Sequence, residues 1–388
     1  MSYYGAAKAG IARYLDCMVA EMLSLDRSAE FVFYAPRPVD IALPQGRWRL
    51  RTESGPSRRF VNPWVQTRIP GWAAEDGLDV FWGQNNVLPL HLRRPCFRLL
   101  TVHDLAPFVC PGTLRLRSAL VRKFYLAKAC RAADAVVADS DATARDIVRL
   151  LGIRRDKVKR VYFGVNSRFQ PVPAVPARDI AGRKYGLPDD YLLTVGTIEP
   201  RKHHTVLLRA LRLLPSAPLL AIIGGVGWKA ESIMREITVM ERAGRVRHLG
   251  WVDDSDLPAL YSAAKMLVLT SSYEGFGLPV LEAMSCGCPV LCSWSSSLPE
   301  VGGDAARYFR TGDSEDLASK LVALLSDERQ LVAMAAAGLV RAKQFSFRQA
   351  AQEVLGIMRA GAARLWRQNP PTHKADASPS NRAIDGGQ

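Results

Sequence analysis

The 388-residue sequence contains no run of uncharged apolar residues long enough to cross a membrane, since a spanning helix needs about 18 to 20 of them. The longest candidate, residues 214–228, is interrupted by Pro218, Gly224 and Gly225, which is typical of a strand that runs into a turn. The amino terminus also lacks the apolar core of a secretory signal, because Lys8 lies within an amphipathic pattern. We therefore expect a cytoplasmic protein.

Metal-binding and disulfide patterns are missing as well. The seven cysteines include no Cys-x-x-Cys pair, and Cys286 and Cys288 have no second cluster of Cys or His to complete a zinc site. The acidic run 253–256 is the nearest approach to an Asp-x-Asp metal motif, but Leu257 and Leu260 follow it at helical spacing, as at the acidic start of a helix. We predict that no metal is bound and that the cysteines are small apolar core residues in a reducing compartment.

Positive charge is concentrated in the first part of the chain. Residues 1–166 hold 26 Lys and Arg against 15 Asp and Glu, a net charge of +11, whereas the remaining residues hold 26 against 22, a net charge of +4. The cations of this part include Arg47, Arg49, Arg51, Arg58, Arg59, Arg115, Arg117, Arg122, Lys123, Lys128 and Arg131.

Such a basic surface suits nucleic acid, anionic lipid or a phosphate-bearing substrate, and a solvated face in a genome biased towards Arg is the alternative. The sequence has neither the interleaved aromatics nor the binding module of a nucleic-acid-binding protein. We therefore predict no nucleic-acid partner, and we expect peripheral contact with the anionic inner face of the plasma membrane.

Apolar segments alternate with amphipathic segments along most of the chain, which predicts an α/β fold with parallel sheets. A length of 388 residues suggests two domains, at about 150 residues per domain. The apolar segments are near-continuous, as in the strands of a sheet covered on both faces. We predict strands at 31–34, 80–82, 97–102, 135–138 and 158–163, and then at 192–195, 219–223, 246–249, 266–269 and 290–292. Helices are predicted in the first series at 9–25, 114–131 and 140–151.

Proline marks the break between the two series of strands. Pro171, Pro173 and Pro176 lie in an otherwise structureless run, which is typical of a linker. Ser346 with Gln349 forms the capping box of a last helix, and the residues after that helix include no aromatic side chain, which is typical of disorder. The predicted organisation is a first domain at 1–166, a linker at 167–181, a second domain at 182–345, a carboxyl-terminal helix at 346–366 and a disordered tail at 367–388.

The sequence SSYEGFGLPVLE at 271–282 carries the most chemical information. It follows an apolar strand, and a helix begins just after its second glycine, so that Gly275 and Gly277 turn the backbone with its amides facing outward. A helix N-terminus there offers free N–H groups and a positive partial charge to a phosphate. Glu274 and Glu282 flank this turn and can accept hydrogen bonds from the hydroxyls of one ligand. On spacing alone, two acids favoured by the start of a helix explain the pattern equally well.

This segment closely resembles glycosyltransferase family 4 in EGFGLPVLEAM at 274–284, which GCPV at 287–290 and LPEVGGDA at 298–305 continue. Further matches, in the order of the family, cover most of the chain: GIARY at 10–14, TVHDL at 101–105, GVN at 164–166 and TVGTIEPRK at 194–202. Members of the family have the GT-B fold, with two facing Rossmann-like domains and a cleft between them. They transfer a sugar from a nucleotide-sugar donor with retention at the anomeric carbon.

The resemblance implies a role for each matching residue. Glu282 would hold the ribose hydroxyls of the donor and Glu274 the hydroxyls of the transferred sugar, while the amides around Gly277 and Leu278 would hold the diphosphate. His103, which on its own is more typical of a structural residue, would contact the primary hydroxyl of the sugar or the acceptor. The implied catalytic residues are thus Glu274, His103, Arg201 and Lys202, and the implied donor-binding residues are Glu282, Gly275, Phe276, Gly277, Leu278, Gly10 and Gly224.

Two features depart from the family pattern. Many members carry Arg directly after the glycine that ends a strand, where this chain has Thr197, so Arg201 is expected to join Lys202 in neutralising the diphosphate. The family also begins with an apolar strand before the glycine loop, whereas only four residues precede Gly5 here, and we interpret this as a start codon assigned too far downstream. The Gly-Gly-x-Gly run that begins at Gly224 is equally typical of a tight turn.

The sequence therefore predicts a retaining, metal-independent hexosyltransferase that uses a nucleotide sugar. TIEPRK at 197–202 resembles mannosyltransferases of O-antigen and exopolysaccharide assembly, so the expected donor is GDP-mannose. The expected acceptor is a glycan or lipid-linked glycan of surface polysaccharide synthesis. The same fold with a soluble acceptor, as in a disaccharide or glucan synthase, is the first alternative. An inactive glycan-binding relative is the second, favoured by the missing strand and opposed by the intact Glu274, Glu282, Arg201 and Lys202.

Overall fold

A computed structural model of the chain describes residues 10–39, 43–53, 61–84, 86–92, 95–113 and 116–368. Within these ranges the strands are β1 (Phe31–Ala35), β2 (Trp48–Thr52), β3 (Val80–Gly83), β4 (Phe97–Val102), β5 (Ala135–Ala138), β6 (Val158–Arg160), β7 (Tyr191–Val195), β8 (Leu219–Ile223), β9 (Val246–Gly250), β10 (Met266–Leu269), β11 (Val290–Ser293) and β12 (Arg307–Phe309). All of the predicted strands are present, with ends that differ by three residues at most.

The helices of the same ranges are α1 (Gly10–Leu25), α2 (Val61–Thr67), α3 (Ile69–Glu75), α4 (Ala106–Val109), α5 (Leu116–Ala132), α6 (Asp141–Leu151), α7 (Ala174–Asp179), α8 (His204–Arg212), α9 (Glu231–Arg242), α10 (Leu257–Ala263), α11 (Leu278–Ser285), α12 (Leu298–Gly302), α13 (Ser314–Leu325), α14 (Glu328–Ala342) and α15 (Phe347–Gln368). None of them combines the length and the apolar composition that a membrane-spanning segment needs.

The first sheet has four parallel strands in the order β3-β4-β5-β6. Its side chains alternate between two buried faces, because Leu99 and Val137 pack in a cluster with α1 and α15, whereas Leu100 and Val136 pack in a cluster with α5 and α6. Helices on both faces explain why β4 and β5 are apolar almost throughout. We call this sheet and its helices the first unit, to which the separate parallel pair of β1 and β2 also belongs.

The second sheet has six parallel strands in the order β12-β11-β10-β7-β8-β9, and with its helices it forms the second unit. The chain runs outward from β7 through β8 to β9, then returns to the other side of β7 and runs through β10 and β11 to β12. The connections after β7 and β10 therefore leave the sheet in opposite directions, and a crevice opens at the carboxyl ends of these strands. Ligands of open α/β sheets bind in such a crevice, so the residues after β7 and β10 are expected to line the site.

Some elements differ from the sequence predictions. The short strands β2 and β12 are absent from the prediction because both are edge strands that include Arg, without the continuous apolar pattern of a covered strand. The predicted structureless linker is wrong in part, because it contains α7. Pro176 lies in the first turn of α7, where a proline breaks no helical hydrogen bond, and Ala177 is fully buried. The domain boundaries themselves stay predictions.

The last helix crosses back to the first unit. α15 lies against α1, where Arg359 binds Asp26 at 2.7 Å, and against β4, where Gly361 faces the ring of Phe97. A Cβ at Gly361 would lie 2.3 Å from an atom of that ring, so glycine allows the close crossing. The helix begins and ends within two residues of the predicted range. From residue 369 onward, the predicted disordered tail lies outside the described residues.

Candidate active site

The segments that follow β7 and β10 meet at the carboxyl edge of the second sheet. Several hydrogen bonds tie them together; for example, Ser272 N donates to Arg201 O at 2.9 Å, and Thr270 Oγ1 donates to Lys202 O at 2.8 Å. Gly277 precedes α11 with a φ of +107°, a conformation that glycine adopts without strain. No side chain caps the first turn of α11. Gly277 O accepts hydrogen bonds from Val280 N at 3.0 Å and Leu281 N at 3.4 Å, and Pro279 has no N–H group. The first turn therefore leaves the N–H group of Leu278 for an anion, as the sequence predicts for the donor diphosphate.

Three of the predicted catalytic residues form a buried ion cluster between these segments. The Glu274 carboxylate accepts hydrogen bonds from Lys202 Nζ at 2.5 Å, from Arg201 Nη1 at 3.1 Å and from Ser271 Oγ at 2.6 Å. Burial alone would raise the pKa of Glu274, but Lys202 and Arg201 outweigh it and lower the pKa to about 2. The cluster is therefore a carboxylate held between two cations, in a site that excludes most water.

Arg201 is the second cation of this cluster. Its guanidinium also donates to Glu199 Oε1 at 2.7 Å, and although burial acts to lower the pKa of Arg201, Glu274 and Glu199 raise it. Thr197, where many relatives carry Arg, instead packs its methyl group against Gly227. The structure thus brings Arg201 next to Lys202 and Glu274, and its contact with a donor phosphate stays a prediction.

Glu282 lies one turn into α11 with different partners from those of Glu274. Its Oε2 accepts a hydrogen bond from Tyr261 Oη at 2.9 Å, and its Oε1 lies 3.4 Å from Nη1 of Arg13. Burial raises the pKa of Glu282, although Arg13 opposes this change. The first turn of α1, which begins at Gly10, therefore approaches the second unit beside Glu282. Arg13 is not among the site residues predicted from the sequence, although it lies in the GIARY match at 10–14.

His103 follows β4 and is held by an acid that follows β5. Its Nδ1 lies 2.8 Å from Asp139 Oδ2. Burial acts to lower the pKa of His103, but Asp139 outweighs it and raises the pKa, while burial raises the pKa of Asp139 to about 6. His103 Nε2 is buried and has no hydrogen-bond partner among the described residues. Since buried polar atoms are rarely left unpaired, this nitrogen is available to a ligand.

The two units touch where His103 meets the loop that carries Glu274. A Cβ at Gly275 would lie 1.7 Å from the carbonyl oxygen of His103, so no side chain fits between the two backbones. The carbonyl oxygen of Gly275 accepts hydrogen bonds from Ser140 Oγ at 2.6 Å and from Thr143 Oγ1 at 3.0 Å. Predicted site residues of both units therefore face one crevice.

Comparison with known proteins identifies the family. The family model described as Glycosyltransferase Family 4 matches residues 9–169, and the model described as Glycosyl transferases group 1 matches residues 179–340. O-antigen chain mannosyltransferase B from Escherichia coli is 36% identical over 297 residues, which cover 74% of this chain and 75% of that protein. The chain belongs to glycosyltransferase family 4.

Two further comparisons show how far the likeness of this glycosyltransferase extends. The serotype-specific mannosyltransferase WbdA from Escherichia coli is 31% identical over 284 residues, which cover 71% of this chain but only 34% of WbdA. HepE from Anabaena, solved in complex with UDP and glucose, superposes on this chain with a TM-score of 0.71 at 19% identity. The superposition covers 92% of this chain and 98% of HepE. This likeness, with two parallel sheets and a last helix, confirms the predicted GT-B fold.

Serine side chains fix the loop that carries Glu274 in the glycosyltransferase. Ser295 Oγ donates to Ser271 O at 2.7 Å, and Ser297 Oγ donates to Phe276 O at 2.7 Å and lies 3.0 Å from Glu274 O. These bonds satisfy loop carbonyls that no regular element pairs. Neither serine is among the site residues predicted from the sequence, although a run of three serines at 295–297 comes soon after a predicted strand.

The remaining predicted donor-site residues have structural reasons for their identity. The ring of Phe276 packs against Phe163 and Phe345, with centroids 5.5 and 5.9 Å away, so its side chain belongs to the core. Gly224 has a φ of +143°, and a Cβ there would lie 2.2 Å from the carbonyl oxygen of Gly196. Glycine at this position lets the segments after β7 and β8 approach each other. Direct contact of these residues with a donor stays a prediction.

Glu300 connects the second unit of the glycosyltransferase to a helix of the first. Its Oε1 accepts a hydrogen bond from Asp141 N at 2.5 Å, and its Oε2 accepts one from Ala142 N at 3.1 Å. A carboxylate at this place satisfies two free N–H groups of α6 and complements the helix dipole. Glu300 therefore stabilises the contact between the units.

The Glu300→Ala variant is expected to open the cleft and to lower the rate of sugar transfer roughly tenfold, because a hydrogen bond to a charged group contributes about 1.5–3 kcal/mol. Glu300→Gln, which keeps one acceptor oxygen, should lose less. Small-angle scattering measures the opening, and nucleotide release measures the rate. The control is Glu315→Ala at the exposed start of α13. An unchanged radius of gyration and rate in Glu300→Ala would contradict this role.

Proposed function

We propose that the protein is a retaining mannosyltransferase, which takes mannose from GDP-mannose and adds it to a lipid-linked glycan during the synthesis of a surface polysaccharide. The observation that carries the proposal is the buried cluster of Glu274, Arg201 and Lys202 beside the start of α11. A relative that is 36% identical and named as an O-antigen chain mannosyltransferase supports the sugar and the pathway class.

The leaving group explains the two cations. Transfer breaks the bond between the anomeric carbon and the diphosphate, so negative charge grows on the departing oxygen. The acceptor hydroxyl oxygen forms the new bond to this carbon, and its proton passes to the departing phosphate. Arg201 and Lys202 are held in place by Glu274, so they need little rearrangement to meet the new charge. A fixed donor of this kind contributes on the order of 3–4 kcal/mol to the barrier reduction.

The sugar and the ribose are assigned to different carboxylates. Glu274, with a pKa of about 2, is ionised at neutral pH and accepts hydrogen bonds from hydroxyls of the transferred sugar. The buried Nε2 of His103, without a partner among the described residues, supports contact with the primary hydroxyl from the opposite side of the cleft. Glu282, which lies in α11 and has its own partners, is assigned to the ribose.

The same cations support a reaction without a metal. In the parts of the chain that the structure describes, no group of three or more His, Cys, Asp or Glu is placed to hold a metal ion. A diphosphate that departs from the donor needs positive charge, and Arg201, Lys202 and the helix N-terminus supply it. We therefore propose that the reaction needs no metal ion, because these groups supply the positive charge.

The proposed function is tested by nucleotide release from a panel of donors in excess EDTA. Purified protein is incubated with GDP-mannose, UDP-glucose or ADP-glucose, and with either a lipid-linked glycan or a soluble sugar as acceptor. We expect release with GDP-mannose and the lipid-linked acceptor, unaffected by EDTA, and an α-linked product that retains the configuration of the donor.

Different outcomes would contradict the proposed donor, the metal-free reaction, the lipid-linked acceptor and the transferase activity itself. Release with UDP-glucose and none with GDP-mannose would reject the donor, and activity that needs added magnesium would reject the metal-free reaction. Transfer to the soluble sugar alone would favour a disaccharide or glucan synthase. Binding of a glycan without any nucleotide release would favour an inactive glycan-binding protein.

A further inference from the structure

The exposed side of α5 is apolar and basic at the same time. Leu120, Val121 and Phe124 are 59%, 57% and 60% exposed, whereas a helix on a protein core normally turns its apolar residues inward. Lys128 and Arg131 are exposed as well. At about 100° per residue, these five residues fall within roughly a third of the circumference of the helix. We call them the α5 stripe.

The opposite side of α5 attaches the helix firmly to the first unit. Leu126, Ala129 and Cys130 are buried in one cluster with Ile147 of α6 and Leu100 of β4. The stripe is therefore the outer surface of a well-packed helix, and substitutions in it leave this core intact.

The charge around the stripe complements an anionic surface. Residues 105–133 contain six Lys and Arg and no Asp or Glu. Lys128 Nζ lies 4.3 Å from the centroid of the Phe124 ring, so a cation and an apolar ring are adjacent on the surface. An anionic bilayer presents negative headgroups directly above an apolar interior, and it matches both properties at once.

The segment that leads into α5 lies against the active site. Leu105 N donates a hydrogen bond to the hydroxyl of Tyr273, the residue before Glu274, at 3.1 Å, and Lys229 Nζ donates one to Gly112 O at 2.8 Å. This segment closes one side of the cleft. The helix that carries the stripe, α5, follows it in the chain.

We propose that α5 is a docking helix for an anionic lipid bilayer, with the apolar side chains of the stripe below the headgroups and its cations among them. The bilayer then lies beside the cleft, where a lipid-linked acceptor leaves it. The second statement rests on the proposed function, whereas the docking itself does not.

Flotation of the full chain with vesicles tests the docking. The wild type should float with vesicles of phosphatidylcholine and phosphatidylglycerol at low salt, stay unbound with phosphatidylcholine alone, and be released by high salt, because salt screens surface charge. The Leu120→Gln/Phe124→Gln double variant should lower the partition coefficient roughly tenfold or more, since it removes the inserted apolar area. Lys128→Gln should lower it roughly fivefold, from about 1 kcal/mol for each cation at the surface.

A matched control and a second readout make the result specific. Val239→Gln/Val332→Gln replaces two apolar residues that are 59% and 62% exposed on helices of the second unit, and it should float like the wild type. The α5 variants should keep the wild-type rate of nucleotide release when the lipid-linked acceptor is dispersed in detergent, where no bilayer is present.

Three outcomes would overturn the docking helix: no flotation of the wild type at low salt, flotation of the double variant like the wild type, or a change of oligomeric state in the double variant, which would assign the stripe to a second copy of the chain. Flotation that behaves as expected in a protein without any transferase activity would reject the proposed function and leave the docking helix standing.

Discussion

The Glu274→Gln variant is expected to show no measurable sugar transfer, although the substitution hardly changes the size of the side chain. In the wild type the carboxylate binds Lys202 at 2.5 Å and Arg201 at 3.1 Å. An amide carries no charge to orient these cations, and it offers one acceptor oxygen in place of two. Removal of one fixed electrostatic contact costs roughly 10²–10³ in turnover. Because this substitution disturbs two cations at once, we expect a fall of at least about 10³-fold.

Stability should fall with activity in the same variant. Removing one partner of a buried ion pair costs about 3–5 kcal/mol, because the remaining charge stays buried without compensation. The pKa of Glu274 is lowered from 4.5 to about 2, so its contribution to folding is fully present above pH 4.5 and is lost as the pH falls towards 2. Thermal melts at neutral pH and at pH 3 measure both effects, and the difference between variant and wild type should shrink at the lower pH.

A matched control distinguishes the loss of the Glu274 carboxylate from the loss of any acidic side chain in the second unit. Glu328→Gln replaces an acid of the second unit whose side chain is 73% exposed and lies 3.6 Å from Lys265. This variant should keep the activity and the melting temperature of the wild type. Turnover within tenfold of the wild type in folded Glu274→Gln protein would show that Glu274 takes no part in the reaction.

The Gly275→Ala variant is expected to lower turnover by about 10²-fold while the donor still binds. The added Cβ would lie 1.7 Å from the carbonyl oxygen of His103 and 3.0 Å from Cβ of Asp104. The nearest of these atoms belongs to the backbone and cannot swing aside, so the two units must move apart. A displacement of about 1 Å between reacting groups can cost 10²-fold in rate. Affinity for GDP, which lacks the sugar assigned to His103, should stay close to that of the wild type, because Glu274 and its cations belong to one unit.

Separate measurements of kcat and of donor binding check this prediction. Nucleotide release gives kcat, and a thermal shift with GDP reports binding to the second unit. Gly356→Ala is the matched control, because a Cβ at this glycine of α15 would meet no atom within 4 Å. If Gly275→Ala kept the wild-type kcat, closure of the two units at this point would not be needed for transfer.

The strands were predictable from the sequence because both sheets are parallel and covered by helices. Such strands are apolar on both faces, and their runs stand out between amphipathic helices. The strand β12, at Arg307–Phe309, escaped the prediction because it lies at an edge and contains only three residues. The helix in the linker escaped it because proline is tolerated in a first turn, so that Pro176 does not mark a break.

The site was predictable only in part. Glu274, Arg201 and Lys202 lie in motifs beside predicted strand ends, and parallel strands bring such ends to one edge of a sheet. The serines that hold the loop have no motif of their own in the sequence. Glu300 lies in the LPEVGGDA match at 298–305, but nothing in that match shows that its carboxylate caps α6. The sequence showed that α5 carries several cations, but not that Leu120, Val121 and Phe124 are exposed beside them. The pattern alone does not show which side of a helix the core covers.

By itself, the sequence determined the α/β class, the alternation of its strands and the residues that begin each loop at the carboxyl edge of a sheet, because these properties follow from local patterns of burial and turn formation. Only the tertiary structure decided which residues meet across the cleft: Arg13 beside Glu282, Glu300 on the start of α6, and Gly275 against His103. These contacts join residues far apart in the chain, where no period or spacing records them, and they form only when the two units fold and close on each other.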